Sequence, residues 1–167
     1  RFQPVIKSNG ETGGGKVDFS WKFFYVDGGS NSDQVDDGDQ EVAVGRFWMN
    51  PIDLDGKNDE EHKYEFFDVK LEDDVNEILT SDETYLVIAN KDEIDSGSEF
   101  GSLEYGWSRI KGRKGKSCKK LCEGEEREQD YSALVNYFQP RSTLEFSYGV
   151  SGNNYGNRIS RGAPMAT

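Results

Sequence analysis

The sequence predicts a mainly β protein, an antiparallel β-sandwich or an open barrel with one short helix and extended terminal arms. Along several runs, apolar and polar residues alternate, which is typical of strands that bury one face of a sheet. Between those runs lie Asp-Gly and Gly-Gly pairs, which favour turns, and the chain has 19 Gly in all.

Length and composition indicate a single domain. A chain of 167 residues is long enough to bury a core. Only 34% of the residues are hydrophobic, but 13% are aromatic, and such rings supply buried area that disordered chains lack. We divide the chain into an N-terminal arm (1–15), a β-rich domain (16–150) and a C-terminal arm (151–167).

The apolar runs and the first residue bear on where the protein works. No apolar run approaches the roughly 18 residues that a membrane helix needs, so we expect a soluble chain. The chain begins at Arg1 without an apolar signal segment. This start favours a processed chain, in an organelle or outside the cell rather than in the cytosol.

Six runs are predicted to form strands. Alternation is clearest in the first and the last, where Phe19 and Trp21, and likewise Leu144 and Phe146, fall on one face. The fourth run is continuously apolar, which indicates a strand in the centre of a sheet. The six runs are 16–26, 41–49, 64–71, 84–89, 103–110 and 143–150.

The one short helix is expected at 130–138, where apolar residues recur three and four positions apart. Asp130 is suited to cap its first turn, and Pro140 follows its end. A single helical turn at 74–79 is a second candidate. The apolar face of the longer helix consists of Tyr131, Leu134, Val135 and Phe138.

Charge is distributed unevenly in a chain whose net charge is −12. Residues 27–99 hold 23 of the 32 acidic residues but only 5 of the 20 basic ones. A cationic run follows, and Gly112 and Gly115 interrupt it, so it is predicted to form a loop. The run consists of Arg109, Lys111, Arg113, Lys114, Lys116, Lys119 and Lys120.

The cationic run has two interpretations. One is a loop that docks onto an acidic protein partner or onto anionic lipid at a membrane surface. The other is a solvated loop balanced by the acidic residues at 123–128. Nucleic acid is not expected as a partner, because the acidic remainder of the surface repels phosphates.

The two cysteines are Cys118 and Cys122, and the chain has a single His, His62. A zinc site normally needs four ligands, so these residues do not predict one. The spacing also differs from the two-residue spacing of thioredoxin-like redox motifs. Two alternatives stay open, a local disulfide that closes a short loop or two free thiols.

A calcium site is the one cofactor that the sequence suggests. Asp53, Asp55, Asp59 and Glu61 offer closely spaced oxygen ligands of the kind that calcium takes. The segment does not match an EF-hand loop, because its Gly falls two positions early. The alternative is a solvated acidic hairpin loop without any metal.

Catalytic motifs are scarce. No G-x-S-x-G sequence and no phosphate-binding loop is present, and His62 lies in a charged run typical of a surface. Glu104 and Glu145 are candidates for a carboxylate-based hydrolase, if their strands line a concave face. Aromatic side chains suited to stacking on sugars are Trp48, Tyr105, Trp107 and Tyr155, of which alternation predicts the first three to be core.

Together these observations favour a non-catalytic accessory or structural subunit. We expect it to dock into a larger protein assembly, such as one peripheral to an organelle membrane complex, through its arms and its basic loop. The alternative is a secreted β-sandwich that binds carbohydrate with the help of calcium. An enzyme of unfamiliar type is a third hypothesis.

Overall fold

The computed structural model of this chain describes residues 5–6, 14–25, 40–56, 64–72, 75–95, 102–113, 128–152, 159–160 and 165–166. Within these ranges the chain is mainly β, as predicted, and its strands pair antiparallel in two main sheets. A core cluster draws residues from both sheets, so the sheets pack against each other as in a sandwich.

Thirteen strands lie in the described ranges, several of them only two residues long. One α-helix, α1 (Lys91–Asp95), is also present there. In chain order the strands are β1 (Val5–Ile6), β2 (Gly14–Lys22), β3 (Phe24–Tyr25), β4 (Gln40–Glu41), β5 (Phe47–Met49), β6 (Tyr64–Lys70), β7 (Asn76–Thr80), β8 (Leu86–Asn90), β9 (Trp107–Gly112), β10 (Ala133–Tyr137), β11 (Thr143–Ser151), β12 (Ile159–Ser160) and β13 (Met165–Ala166).

The large sheet has five strands in the order β2-β11-β6-β9-β8, and the small sheet has four in the order β13-β5-β10-β7. Two further pairs, β1 with β12 and β3 with β4, stand apart from these sheets. Part of each predicted arm therefore pairs within the chain, and β13 extends the small sheet. The division into arms and domain itself stays a prediction.

Aromatic rings fill the space between the sheets. Phe146 on β11 stacks on Phe67 of β6 and on Phe19 of β2, with ring centroids 5.3 and 5.0 Å apart. From the small sheet, Phe47 and Tyr137 stack at 4.7 Å and join the same cluster. Such ring pairs add to the stabilisation that burial alone provides. The inward alternation predicted for the last strand is thus confirmed.

The predicted helix at 130–138 is wrong. A single 3-10 turn at Glu128–Tyr131 is followed by the strand β10, which lies between β5 and β7. Its alternate residues Ala133, Val135 and Tyr137 are buried. Because this segment carries apolar residues on both faces, a period of two fits it as well as a helical period. Pairing with two neighbouring strands decides between them.

The helix that does form was missed at the sequence level. In α1 the backbone N–H of Glu93 donates to Asn90 Oδ1 at 3.1 Å, and the N–H of Asn90 donates to Glu93 Oε2 at 2.8 Å. This is a reciprocal capping box, and its N-x-x-E spacing is visible in the sequence. Ile94 anchors the helix on Ala89 and Leu103.

Two other predictions are also corrected. The apolar run at 84–89 forms β8, which lies at the edge of the large sheet and not at its centre. Val87 and Ile88 are exposed there, and β8 pairs only with β9 among the described strands. Residues 76–79 of the candidate turn at 74–79 lie in the strand β7 instead. In the described ranges no helix is long and apolar enough to cross a membrane.

A buried ion pair lies on the outward face of the large sheet. Arg109 of β9 donates from Nε and Nη2 to the two carboxylate oxygens of Asp68 on β6, at 2.7 and 2.8 Å. Both side chains are fully buried, and the Phe66 ring lies 3.8 Å from Arg109 Cζ. Burial raises the pKa of the Asp68 carboxyl, while the guanidinium acts against that rise.

We predict that Asp68→Asn destabilises the fold by about 3–5 kcal/mol, because it leaves a buried guanidinium without its counter-charge. The double variant Asp68→Leu with Arg109→Met should regain most of this loss, since an apolar pair removes both charges together. Lys22→Ala, which breaks an exposed pair with Glu41, should have little effect on the free energy of unfolding. Urea unfolding measures all three, and a mild effect of Asp68→Asn would contradict the prediction.

A glycine on β11 is required by close packing. A Cβ at Gly149 would lie 2.2 Å from Phe66 Cζ and 2.7 Å from the Gly15 carbonyl oxygen. A Cβ at Gly45 would meet no atom within 4 Å. We predict that Gly149→Ala costs about 1–3 kcal/mol through overpacking. Gly45→Ala should stay within about 0.5 kcal/mol. Equal melting temperatures for the two variants would refute this account.

Candidate functional site

The outward face of the small sheet carries a row of three side chains, Trp48, Asn136 and Glu77, named here the Trp48 row. In the strand register Asn136 of β10 lies opposite Trp48 of β5 and opposite Glu77 of β7. Phe47 and Met49 point into the core, so alternation turns Trp48 outward, and its side chain is 45% exposed. Asn136 Nδ2 donates to Glu77 Oε1 at 3.1 Å.

A trough adjoins the Trp48 row at one end of the same face. Two residues along the strands, Leu134 lies opposite Leu79, whose side chain is 43% exposed. Here the surface forms an open cavity of about 590 Å³. Its lining is Asn50, Ile52, Leu79, Thr80, Ser81, Gln129, Ser132, Ala133 and Leu134.

The lining of this trough is uncharged, although 31% of the residues in the chain are charged. It combines amides and hydroxyls with aliphatic side chains. Amides and hydroxyls donate and accept hydrogen bonds without carrying charge. The trough and the Trp48 row therefore suit a ligand that is neutral, rich in hydrogen-bonding groups and apolar on one face.

A second cavity, of about 460 Å³, lies on the outward face of the large sheet, between β2, β11 and the segment 102–107. It contains Glu104 and Glu145, the two carboxylates proposed from the sequence for a hydrolase. A third carboxylate, Asp18, lies in the same cleft and was missed. Its outward position on the first strand was visible in the alternation.

Asp18 is held in its ionised form. Ser147 Oγ donates to Asp18 Oδ1 at 2.6 Å, and Lys16 Nζ lies 3.1 Å from the same oxygen. The hydrogen bond from Ser147 is the largest cause of a lowered pKa at Asp18, with burial opposing it and Lys16 adding to it. A general acid in glycoside hydrolysis needs a raised pKa, so Asp18 is unsuited to that role.

One residue of the predicted docking loop is not accessible to a partner. Arg109 is fully buried in its pair with Asp68, so the prediction that it contacts a partner is wrong. Lys111 is partly buried, with Nζ 5.0 Å from the centre of the Tyr64 ring, whereas Arg113 is exposed. The remaining members of the loop lie outside the described residues, namely Lys114, Lys116, Lys119 and Lys120.

Two of the four predicted calcium ligands, Asp53 and Asp55, lie within the described residues. Asp55 is buried, and its N–H donates to Glu65 Oε2 at 3.3 Å. Asp53 has a left-handed backbone, with φ of 60°. Within the described ranges no cluster of three or more His, Cys, Asp or Glu residues is placed to hold a metal. Asp59, Glu61, Cys118 and Cys122 lie outside those ranges, so calcium and the disulfide stay predictions.

Two of the aromatic residues expected in the core are exposed. Besides Trp48, Tyr105 is 81% exposed in a turn before β9, while Trp107 packs against Ala89 and its neighbours as expected. The run 41–49 is apolar on both faces, so alternation alone could not tell which face of Trp48's strand is buried. Tyr155 lies outside the described residues.

Comparison with known proteins gives no relative. No protein-family model matches the chain, and no curated protein or solved structure matches it.

We predict that the Asp18 carboxyl titrates below its usual range and that Ser147→Ala and Lys16→Met each raise its pKa. Because the folded-state pKa is lowered, Asp18 stabilises the fold at neutral pH, and this contribution is lost as pH falls through that pKa. Side-chain carboxyl NMR across an acid titration measures both shifts. An unchanged pKa of Asp18 in either variant would contradict the assigned causes.

Proposed function

We propose that this chain is a non-catalytic carbohydrate-binding module that holds a glycan on the outward face of its small sheet. The observation that carries the proposal is the exposed Trp48 beside an uncharged trough in a strongly acidic chain. Binding sites on rigid sheet faces need little reorganisation when a ligand arrives.

The chemistry of a sugar matches this face. A pyranose ring has an apolar face of C–H groups, which packs on an aromatic ring, and a rim of hydroxyls that both donate and accept hydrogen bonds. Trp48 supplies the aromatic ring. The amide of Asn50 and the hydroxyl of Thr80 supply partners for the rim.

The same lining argues for binding without hydrolysis. Glycoside hydrolysis generally uses two carboxyl groups on either side of the scissile bond. The lining of the trough contains no carboxylate. The Trp48 row contains one, Glu77, which accepts a hydrogen bond from Asn136. A glycan on this face would therefore be held and not cleaved.

Docking as an accessory subunit is the second candidate function. It is favoured by β8, an edge strand of five residues without charge or Pro and with Val87 and Ile88 exposed. Such an edge is open to pairing with a strand of another protein. In the register Val87 lies opposite Lys111, close to the start of the cationic run.

We predict that the intact chain binds oligosaccharides on a glycan array and that Trp48→Ala weakens the strongest interaction at least about tenfold, through lost stacking. Tyr105→Ala removes a more exposed ring on another part of the surface and should leave affinity unchanged. Calorimetry gives the affinities, and repeating it with chelator tests the calcium hypothesis. If the array retains no glycan, or if both variants lose the same affinity, this function is excluded.

A further inference from the structure

We propose that the trough beside Trp48 receives the acetamido group of an N-acetylated amino sugar. This face then prefers glycans built from N-acetylhexosamines over glycans built from plain hexoses. The inference rests on the proposed function and adds the class of ligand. It starts from what the outward face of the small sheet places next to the aromatic ring, namely an amide and two leucines.

A second row of side chains lies beside the Trp48 row. The backbone N–H of Ala133 donates to the carbonyl oxygen of Pro51 at 3.0 Å, so the pairing of β10 with β5 continues past the end of β5. Asn50 therefore comes to lie opposite Leu134, which has Leu79 on its other side. This second row is two residues along the strands from the first, a separation of about 6.7 Å.

A sugar ring stacked on Trp48 can reach the second row with one long substituent. A hydroxyl of the sugar is a single oxygen on the ring and stays close to the indole. An acetamido group carries a carbonyl and a methyl beyond its nitrogen, so it extends farther along the strands. The residues that it meets there are those of the second row, all of which line the trough.

Asn50 provides a hydrogen-bonding partner for such a group. The side-chain amide has N–H donors and a carbonyl acceptor, and an acetamido group likewise has one N–H and one carbonyl. The two groups can therefore exchange two hydrogen bonds. An O-acetyl ester has no N–H to offer, and a methyl substituent has neither group, so each of them would form fewer of these bonds.

The two leucines provide apolar contact for the methyl end of the acetamido group. Leu79 is 43% exposed and Leu134 is partly buried, and both line the trough. A methyl group placed against them removes apolar surface from water on both sides. A plain hexose would instead bring a hydroxyl against these side chains, where it loses water without gaining a hydrogen bond. This difference is the source of the preference.

The experiment compares glycans that differ only in the acetamido group. An array presents glycans of N-acetylglucosamine, N-acetylgalactosamine and N-acetylmannosamine, each paired with its glucose, galactose or mannose counterpart of the same linkage. Calorimetry on the intact chain then gives the affinity for each retained pair. We expect the glycan that binds most tightly to be N-acetylated and to bind about tenfold or more tightly than its plain counterpart.

The variant Leu79→Thr tests the assigned contact. Thr suits an exposed strand position but replaces the aliphatic end of the side chain by a hydroxyl and a shorter stem. The ratio of N-acetylated to plain affinity should therefore fall about fivefold. Val87→Thr makes a similar change at an exposed aliphatic residue of β8, in the other sheet, and should leave the ratio unchanged. Thermal unfolding of both variants confirms that each is folded.

The outcomes separate the two proposals. Plain glycans that bind as tightly as their N-acetylated partners, or a ratio in Leu79→Thr no different from that in Val87→Thr, would overturn the acetamido preference and leave carbohydrate binding intact. If the intact chain retains none of the glycans, carbohydrate binding by this face and the preference are both overturned.

Discussion

The packing of aromatic rings between two sheets is the constraint on which this structure depends. Only 34% of the chain is hydrophobic, so the core relies on a few large side chains. Phe67 and Phe146 from the large sheet and Phe47 from the small sheet belong to one cluster. Each strand that supplies a ring must present it inward, and this requirement sets the orientation of every residue that alternates with it.

The two sheets differ in what they expose. The large sheet is buried on both faces of its central strands, because β6 and β11 carry buried residues inward and outward alike. The Asp68–Arg109 pair lies on that outward face, where its charges are compensated by two short hydrogen bonds. The small sheet leaves Trp48 and Leu79 exposed on its outer side. A ligand that needs a flat, partly apolar sheet face therefore fits the small sheet better.

The outward face of the small sheet differs in charge from the acidic chain as a whole. Three carboxylates, Asp18, Glu104 and Glu145, line one cleft on the large sheet, where Ser147 and Lys16 lower the pKa of Asp18. Against this background, an uncharged trough beside an exposed Trp is a local departure in composition. Hydrogen bonding and stacking, and not ionic attraction, are the interactions that such a surface offers.

Alternation in the sequence determined the strand-rich class and the inward residues of β11, because a period of two has one meaning wherever a single face is apolar. Alternation failed as a guide where both faces of a strand are apolar. The segment 130–138, expected as a helix, contains the strand β10, and the outward position of Trp48 was not recognised. Glu104 and Glu145 were named as candidates from the sequence, but the pairing of β11 with β2 brings Glu145 to Asp18, and the position of the segment 102–107 brings Glu104. Only the tertiary structure decided that the trough forms and that Arg109 is buried. Both depend on which distant strands become neighbours.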